Sequence, residues 1–168
     1  MQYTSAQANK ILKKLAEERE RLLSLERAGK VFIAATTEDK ESARPEYSYK
    51  DTKKALAKIE ADIRVIKHAI NVFNTTHFVE GFDLTVDQML IYIPQLVERK
   101  HQLSQMTQAL PKQRLTSNGR TNLIEYQYVN YDIDSVKQDY AAISEELSRA
   151  QVALDCLNNT ETFSFSIE

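Results

Sequence analysis

The sequence predicts a mainly α protein: an up-down-up-down antiparallel four-helix bundle built from an internal helix-loop-helix duplication, with small β-strands in its two long loops. Three observations carry this. Among 168 residues there are only three glycines and three prolines, and because those residues mark turns, long uninterrupted elements follow. Two stretches repeat apolar residues at alternating steps of three and four, the heptad spacing of a helix seam. The same series of caps, seams and endings recurs in the same order in the second half of the chain.

The first helix is expected over 5–28. Ala8, Ile11, Leu15, Glu18, Leu22 and Leu25 form its seam, and Thr4 with Gln7 has the T-x-x-Q spacing of a capping box. Gly29 suits its end. In the loop that follows, VFIAATT at 31–37 is rich in β-favouring residues and TEDKESARP at 37–45 reads as an exposed tip. The second helix, 51–74, has the clearest seam: Leu56, Ile59, Ile63, Ile66, Ile70 and Phe73. Asp51 is its candidate N-cap, and the asparagine of FNTT at 73–76 suits a left-handed stop.

The third helix, 85–109, matches the first under a shift of 81: Met89, Tyr92, Leu96, Arg99, Leu103 and Met106 repeat the seam, and Thr85 with Gln88 repeats the box. Pro94 lies inside it and cannot donate to Leu90, which predicts a kink, while Pro111 ends it. Asn118 and Gly119 form the turn pair of a tight hairpin, and LIEYQY at 123–128 reads as a strand. EYQY at 125–128 echoes EYSY at 46–49. The fourth helix, 135–158, matches the second under a shift of 84, through Tyr140, Ile143, Leu147, Ala150, Leu154 and Leu157. Ser135 is its candidate cap and LNNT at 157–160 its ending. TFSFSIE alternates Phe163, Phe165 and Ile167, a further strand with an apolar face to cover. One domain, 1–168, is expected, with pseudo-repeats about 4–76 and 85–160 and a strand-like segment at 161–168.

Composition narrows function. With 22 Lys plus Arg against 24 Asp plus Glu, no global field draws nucleic acid or an anionic membrane, so neither is an expected partner and any charged ligand must be met locally. The single cysteine, Cys156, excludes an intrachain disulfide and reads as a small packed residue beside the fourth seam. The start MQYTSAQANKILKK has no apolar signal stretch, and no run of about 18 apolar residues exists, so a cytoplasmic location is expected. NTT at 74–76 and NNT at 158–160 match a glycosylation pattern but read as helix endings. His68, His77 and His101 lack metal-ligand spacing, and no G-x-x-x-x-G-K-[ST], G-x-G-x-x-G or G-x-S-x-G occurs. No catalytic residue, metal or cofactor is expected.

Two groups of residues stand out. Glu18 and Arg99 hold the same place in the repeat, where the other seam positions are apolar; a buried ion pair across the pseudo-twofold axis is one reading, and two separate solvent-facing side chains the other. Tyr47, Tyr49, Tyr126, Tyr128 and Tyr131, with Asn122, Asn130, Lys112, Arg114 and Arg120, form a tyrosine-rich loop end able to stack on a ligand or grip a partner. Tyrosines alternating on small strands also serve as plain packing.

The segments KILKKLAEERERLL, INVFNTT, GFDLTVDQML, LVERKHQL, EYQYVNYD and LNNTETF, taken in order, resemble a family of small bacterial proteins labelled septicolysin-like. The label implies a pore-forming toxin, but the chain shows neither a secretion signal nor a long membrane-inserting stretch, so the resemblance implies the helical fold and carries over no functional residue. The expectation is a non-enzymatic, self-associating helical binding protein, a homo-oligomer that meets a protein partner or ligand at its tyrosine-rich end. The alternatives are a protein that holds a nucleotide-like signalling molecule between subunits, and the toxin.

Overall fold

A computed structural model describes residues 1–115 and 124–167. Their elements run β1 (Gln2–Thr4), α1 (Ser5–Gly29), α2 (Lys40–Ala43), α3 (Tyr49–Thr76), α4 (Val86–Thr107), β2 (Lys112–Arg114), β3 (Tyr126–Tyr128), α5 (Ile133–Thr160) and β4 (Thr162–Ser164). The fold is mainly helical. It divides into two compact units, Met1–His77 with Leu157–Glu168, and Phe78–Cys156.

The first unit is a helical hairpin closed by a small sheet. α1 begins in the expected capping box: the Gln7 amide donates to the Thr4 hydroxyl at 3.3 Å, and the Thr4 amide donates to the Gln7 carboxamide oxygen at 3.0 Å. Ala8 and Ile66 are fully buried and pack with Phe165, Leu12, Leu15 and Ile70. Farther along, Arg19 pairs with Glu60 at 2.9 Å. Advancing on α1 from Ala8 to Arg19 thus means retreating on α3 from Ile66 to Glu60, so the two helices are antiparallel. β4 pairs antiparallel with β1, Phe163 opposite Tyr3. The ring of Phe165 stacks on Tyr3 at 4.6 Å, and that of Phe163 lies 4.9 Å from Phe73. Phe163 and Phe165 of the tail are therefore covered within their own chain, while Ile167 stays exposed.

Several local expectations are corrected here. Residues 31–35 form no strand despite their β-favouring composition; Val31 and Ile33 are exposed, and β propensity expresses fit to a half-buried pleated surface that this segment does not meet. The tip at 37–45 is exposed as expected and also contains α2, where the Asp39 carboxylate accepts from the amides of Glu41 and Ser42. The N-cap of α3 is Ser48, whose hydroxyl accepts from the Asp51 amide at 3.4 Å, so Asp51 is the capped residue and the helix starts earlier. Among the described residues no non-glycine has a positive φ. α3 ends without a left-handed asparagine: the Thr75 and Thr76 hydroxyls donate to carbonyls one turn back, and the His77 amide donates to the Phe73 carbonyl. Gly29 is likewise the last residue of α1, not a left-handed stop.

In the second unit a turn precedes α4. The Val79 amide donates to the Leu84 carbonyl at 2.9 Å, and Gly81 takes φ 79°, a region glycine enters without steric cost. The Thr85 amide then donates to the Gln88 side chain at 2.9 Å. α4 continues through Pro94. It buries Met89, Leu96 and Leu103, and α5 buries Val136, Leu147, Ala150 and Leu154. Three cross-links set their direction: Tyr92 donates to Glu146 at 2.5 Å, the Lys100 ammonium sits 5.7 Å from the centre of the Tyr140 ring, and Tyr131 donates to the Met106 carbonyl at 2.9 Å. α4 and α5 are antiparallel. The cap of α5 is Asp132, which accepts from the amides of Asp134 and Ser135, so Ser135, like Asp51, is the capped residue.

The EYxY phrase takes two different structures. In EYSY the last tyrosine opens α3, whereas EYQY contains β3. The residue 84 positions beyond Tyr47 is Tyr131, and both tether the start of the second helix of their unit to the end of the first: the Tyr47 hydroxyl donates to Glu26 at 3.4 Å.

Candidate functional site

β2 and β3 form an antiparallel ribbon with Lys112 opposite Tyr128, Gln113 opposite Gln127 and Arg114 opposite Tyr126. The ladder continues at both ends, the Leu115 amide donating to the Glu125 carbonyl at 2.9 Å and the Val129 amide to the Pro111 carbonyl at 3.2 Å. Because side chains alternate between faces, Lys112, Arg114, Tyr126 and Tyr128 share one face, and Gln113, Gln127 and Glu125 the other. On the first face the Lys112 ammonium lies 4.1 Å from the centre of the Tyr126 ring and 5.5 Å from that of Tyr128. The two rings are 6.4 Å apart and tilted by 48°. Tyr126 is 43% exposed and Tyr128 62%. These tyrosines are therefore surface, not packing.

The charge of that face is decided by where the nearby acids go. Glu125 belongs to the opposite face. Asp132 caps α5, with the Ser135 hydroxyl first and the amides of Ser135 and Asp134 next holding its carboxyl below the usual range. Asp134 pairs with Lys137 at 2.9 Å. Two cations and two rings remain, with no acid among them. Beside the ribbon a hollow of about 300 Å³ is lined by Gln113, Gln127, Tyr128, Ala109, Asn130 and Tyr131. Asn130 borders this hollow, and Tyr131 is committed to Met106.

The other expected site residues are distributed differently. Arg120, Asn122 and the Asn118–Gly119 turn lie outside the described residues. Tyr47 and Tyr49 belong to the first unit. Tyr47 is structural: burial first, and then the neighbouring Glu26 charge, raise its phenol above the ordinary value. Tyr49 is exposed, with the Lys53 ammonium 5.9 Å from its ring centre. Glu18 and Arg99 are not buried. Glu18 pairs with Arg21 at 2.6 Å with its side chain 44% exposed, and Arg99 donates to Gln102 at 3.4 Å. A charge at a seam position of a long side chain can rotate out to solvent, and both do.

Cys156 is exposed rather than packed. It borders a second hollow of about 390 Å³ with Glu80, Glu145, Ser148 and Arg149, the Arg149 guanidinium 5.5 Å from the centre of the Phe82 ring. No sequence signal pointed there, because its parts come from a turn and the outer face of a distant helix. Among the described residues no three His, Cys, Asp or Glu gather as metal ligands, and no helix is long and apolar enough to cross a membrane.

No family model matches the chain, and no curated protein matches it. A solved structure described as that of a functionally unknown conserved protein from Corynebacterium diphtheriae is similar, with a TM-score of 0.60 at 14% identity over 98% of this chain and 100% of that one. That likeness concerns the fold alone.

Proposed function

We propose that this chain is a non-enzymatic, self-associating binding protein of the cytoplasm whose binding surface is the β2–β3 ribbon. The observation that carries the reading is the exposed face of Lys112, Arg114, Tyr126 and Tyr128, whose described ribbon residues include no acid. Tyrosine and arginine are enriched at the energetic centres of recognition surfaces, and cations are attracted to ring faces. We further propose that the two helical hairpins are copies of one unit joined as an up-down-up-down bundle. In support, α3 and α5 begin 84 positions apart and end 84 positions apart, each behind a side-chain cap. Self-association is favoured by α4, which exposes Leu90, Ile91 and Val97.

Thermal denaturation against a panel of nucleotides, polyanions and amphipathic peptides tests the binding reading, because a ligand that selects the native state raises its melting temperature. At least one class is expected to stabilise the protein, and to stop doing so in Tyr126→Ala/Tyr128→Ala. A panel with no response that depends on those tyrosines overturns it. A monomeric mass in sedimentation equilibrium overturns self-association.

A further inference from the structure

We propose that the Lys112, Arg114, Tyr126 and Tyr128 face binds single-stranded nucleic acid, bases stacking on the tyrosines and phosphates meeting the cations. The inference rests on the ribbon being the binding surface and names its ligand. The net charge of −2 argues against nucleic acid only for the chain as a whole. What a strand meets is the local face, whose described ribbon residues are two cations and two rings. Aromatic rings on a strand beside a basic track are how sequence-tolerant single-strand binders hold bases and backbone.

The geometry selects a strand over a free nucleotide. Small ligands bind in concave sites that bury most of their surface, whereas these rings stand in line along β3, 6.4 Å apart and open to solvent. Tyr128 borders the hollow beside the ribbon, but Lys112, Arg114 and Tyr126 do not line it, so the face as a whole does not lead into that hollow. Lys112 now covers both rings. A base arriving on Tyr126 displaces that ammonium, which is then placed to meet the phosphate attached to the base. Arg114, directly opposite Tyr126, supplies the second phosphate contact.

The test is fluorescence anisotropy of the full chain titrated into a labelled oligothymidylate of about 12 nucleotides, within the span of a small single-strand site. A saturable rise is expected, weakening as salt increases because phosphate contacts release counterions. Tyr126→Ala/Tyr128→Ala should weaken binding roughly tenfold or more. Tyr126→Phe/Tyr128→Phe should retain it, since the ring and not the hydroxyl stacks. Lys112→Ala/Arg114→Ala should flatten the salt dependence, and it carries the test if circular dichroism shows that the alanine pair has lost helix. The proposal is overturned by no rise, by indifference to the tyrosine substitutions, by equal affinity for a duplex of the same length, or by displacement with a mononucleotide or tripolyphosphate at equal phosphate concentration. If the oligonucleotide fails while another panel ligand depends on the ribbon tyrosines, only this inference falls and the binding reading stands.

Discussion

A side chain on Gly29 would begin 2.6 Å from the Cβ of Tyr47 and 2.9 Å from its Cγ. Glycine is required there because Tyr47 closes over the end of α1, not because the backbone turns left-handed. Alanine for glycine within a helix ordinarily gains about 0.5–1 kcal/mol. Here Gly29→Ala should instead cost about 1–3 kcal/mol through overpacking. Urea denaturation measures it, and the same substitution in a Tyr47→Gly background should lose most of the penalty.

Phe165 lies under Tyr3 and beside Ala8 and Ile66, joining the C-terminal tail to the core of the first unit. Phe165→Ala should destabilise by about 3 kcal/mol. Ile167→Ser, on a more exposed side chain of the same tail, should be close to neutral. Equal effects in denaturation would show that the tail is not anchored at Phe165.

Two hydrogen-bonded acids set opposite limbs of the pH profile. The Tyr92 phenol is raised, first by its bond to Glu146 and then by burial. Below pH about 10 it is neutral in both states; above, the unfolded chain ionises first, so stability is lost as pH rises through the folded pKa. Tyr92→Phe should remove that alkaline loss while costing about 1 kcal/mol at neutral pH. Asp132 is lowered, so its contribution is present above pH about 4 and lost as pH falls through the folded pKa. Asp132→Asn keeps a capping oxygen and should flatten the acid limb. Denaturation midpoints across pH read both.

Glu18 and Arg99 each have a local partner and solvent exposure. Glu18→Leu and Arg99→Leu should therefore have small effects that add in a double-mutant cycle. A coupling well outside additivity would revive the buried pair.

Helix positions were legible because a heptad seam is a local pattern that survives in almost any tertiary setting. The seam of α5 is the clearest case, with Leu147, Ala150, Leu154 and Leu157 all buried. The cap of α1 at Thr4 was legible for the same reason. The caps of α3 and α5 are each expected three residues late, since Ser48–Asp51 and Asp132–Ser135 both pair two good capping residues and the sequence does not say which supplies the accepting oxygen. The tyrosines at 126 and 128 could be suspected from composition, but not that they share a face with Lys112 and Arg114.

By itself the sequence determined where the four long helices lie, most of the apolar residues that face inward along them, and that the TFSFSIE tail had to find cover. Tertiary structure alone decided what covers the tail, that Glu18 and Arg99 turn outward, that one EYxY phrase becomes strand and the other a helix start, and that two cations and two tyrosines share one ribbon face. The reason is range. Helix seams and caps are set by residues within a few positions of each other, whereas strand pairing and surface charge depend on which distant segment lies alongside.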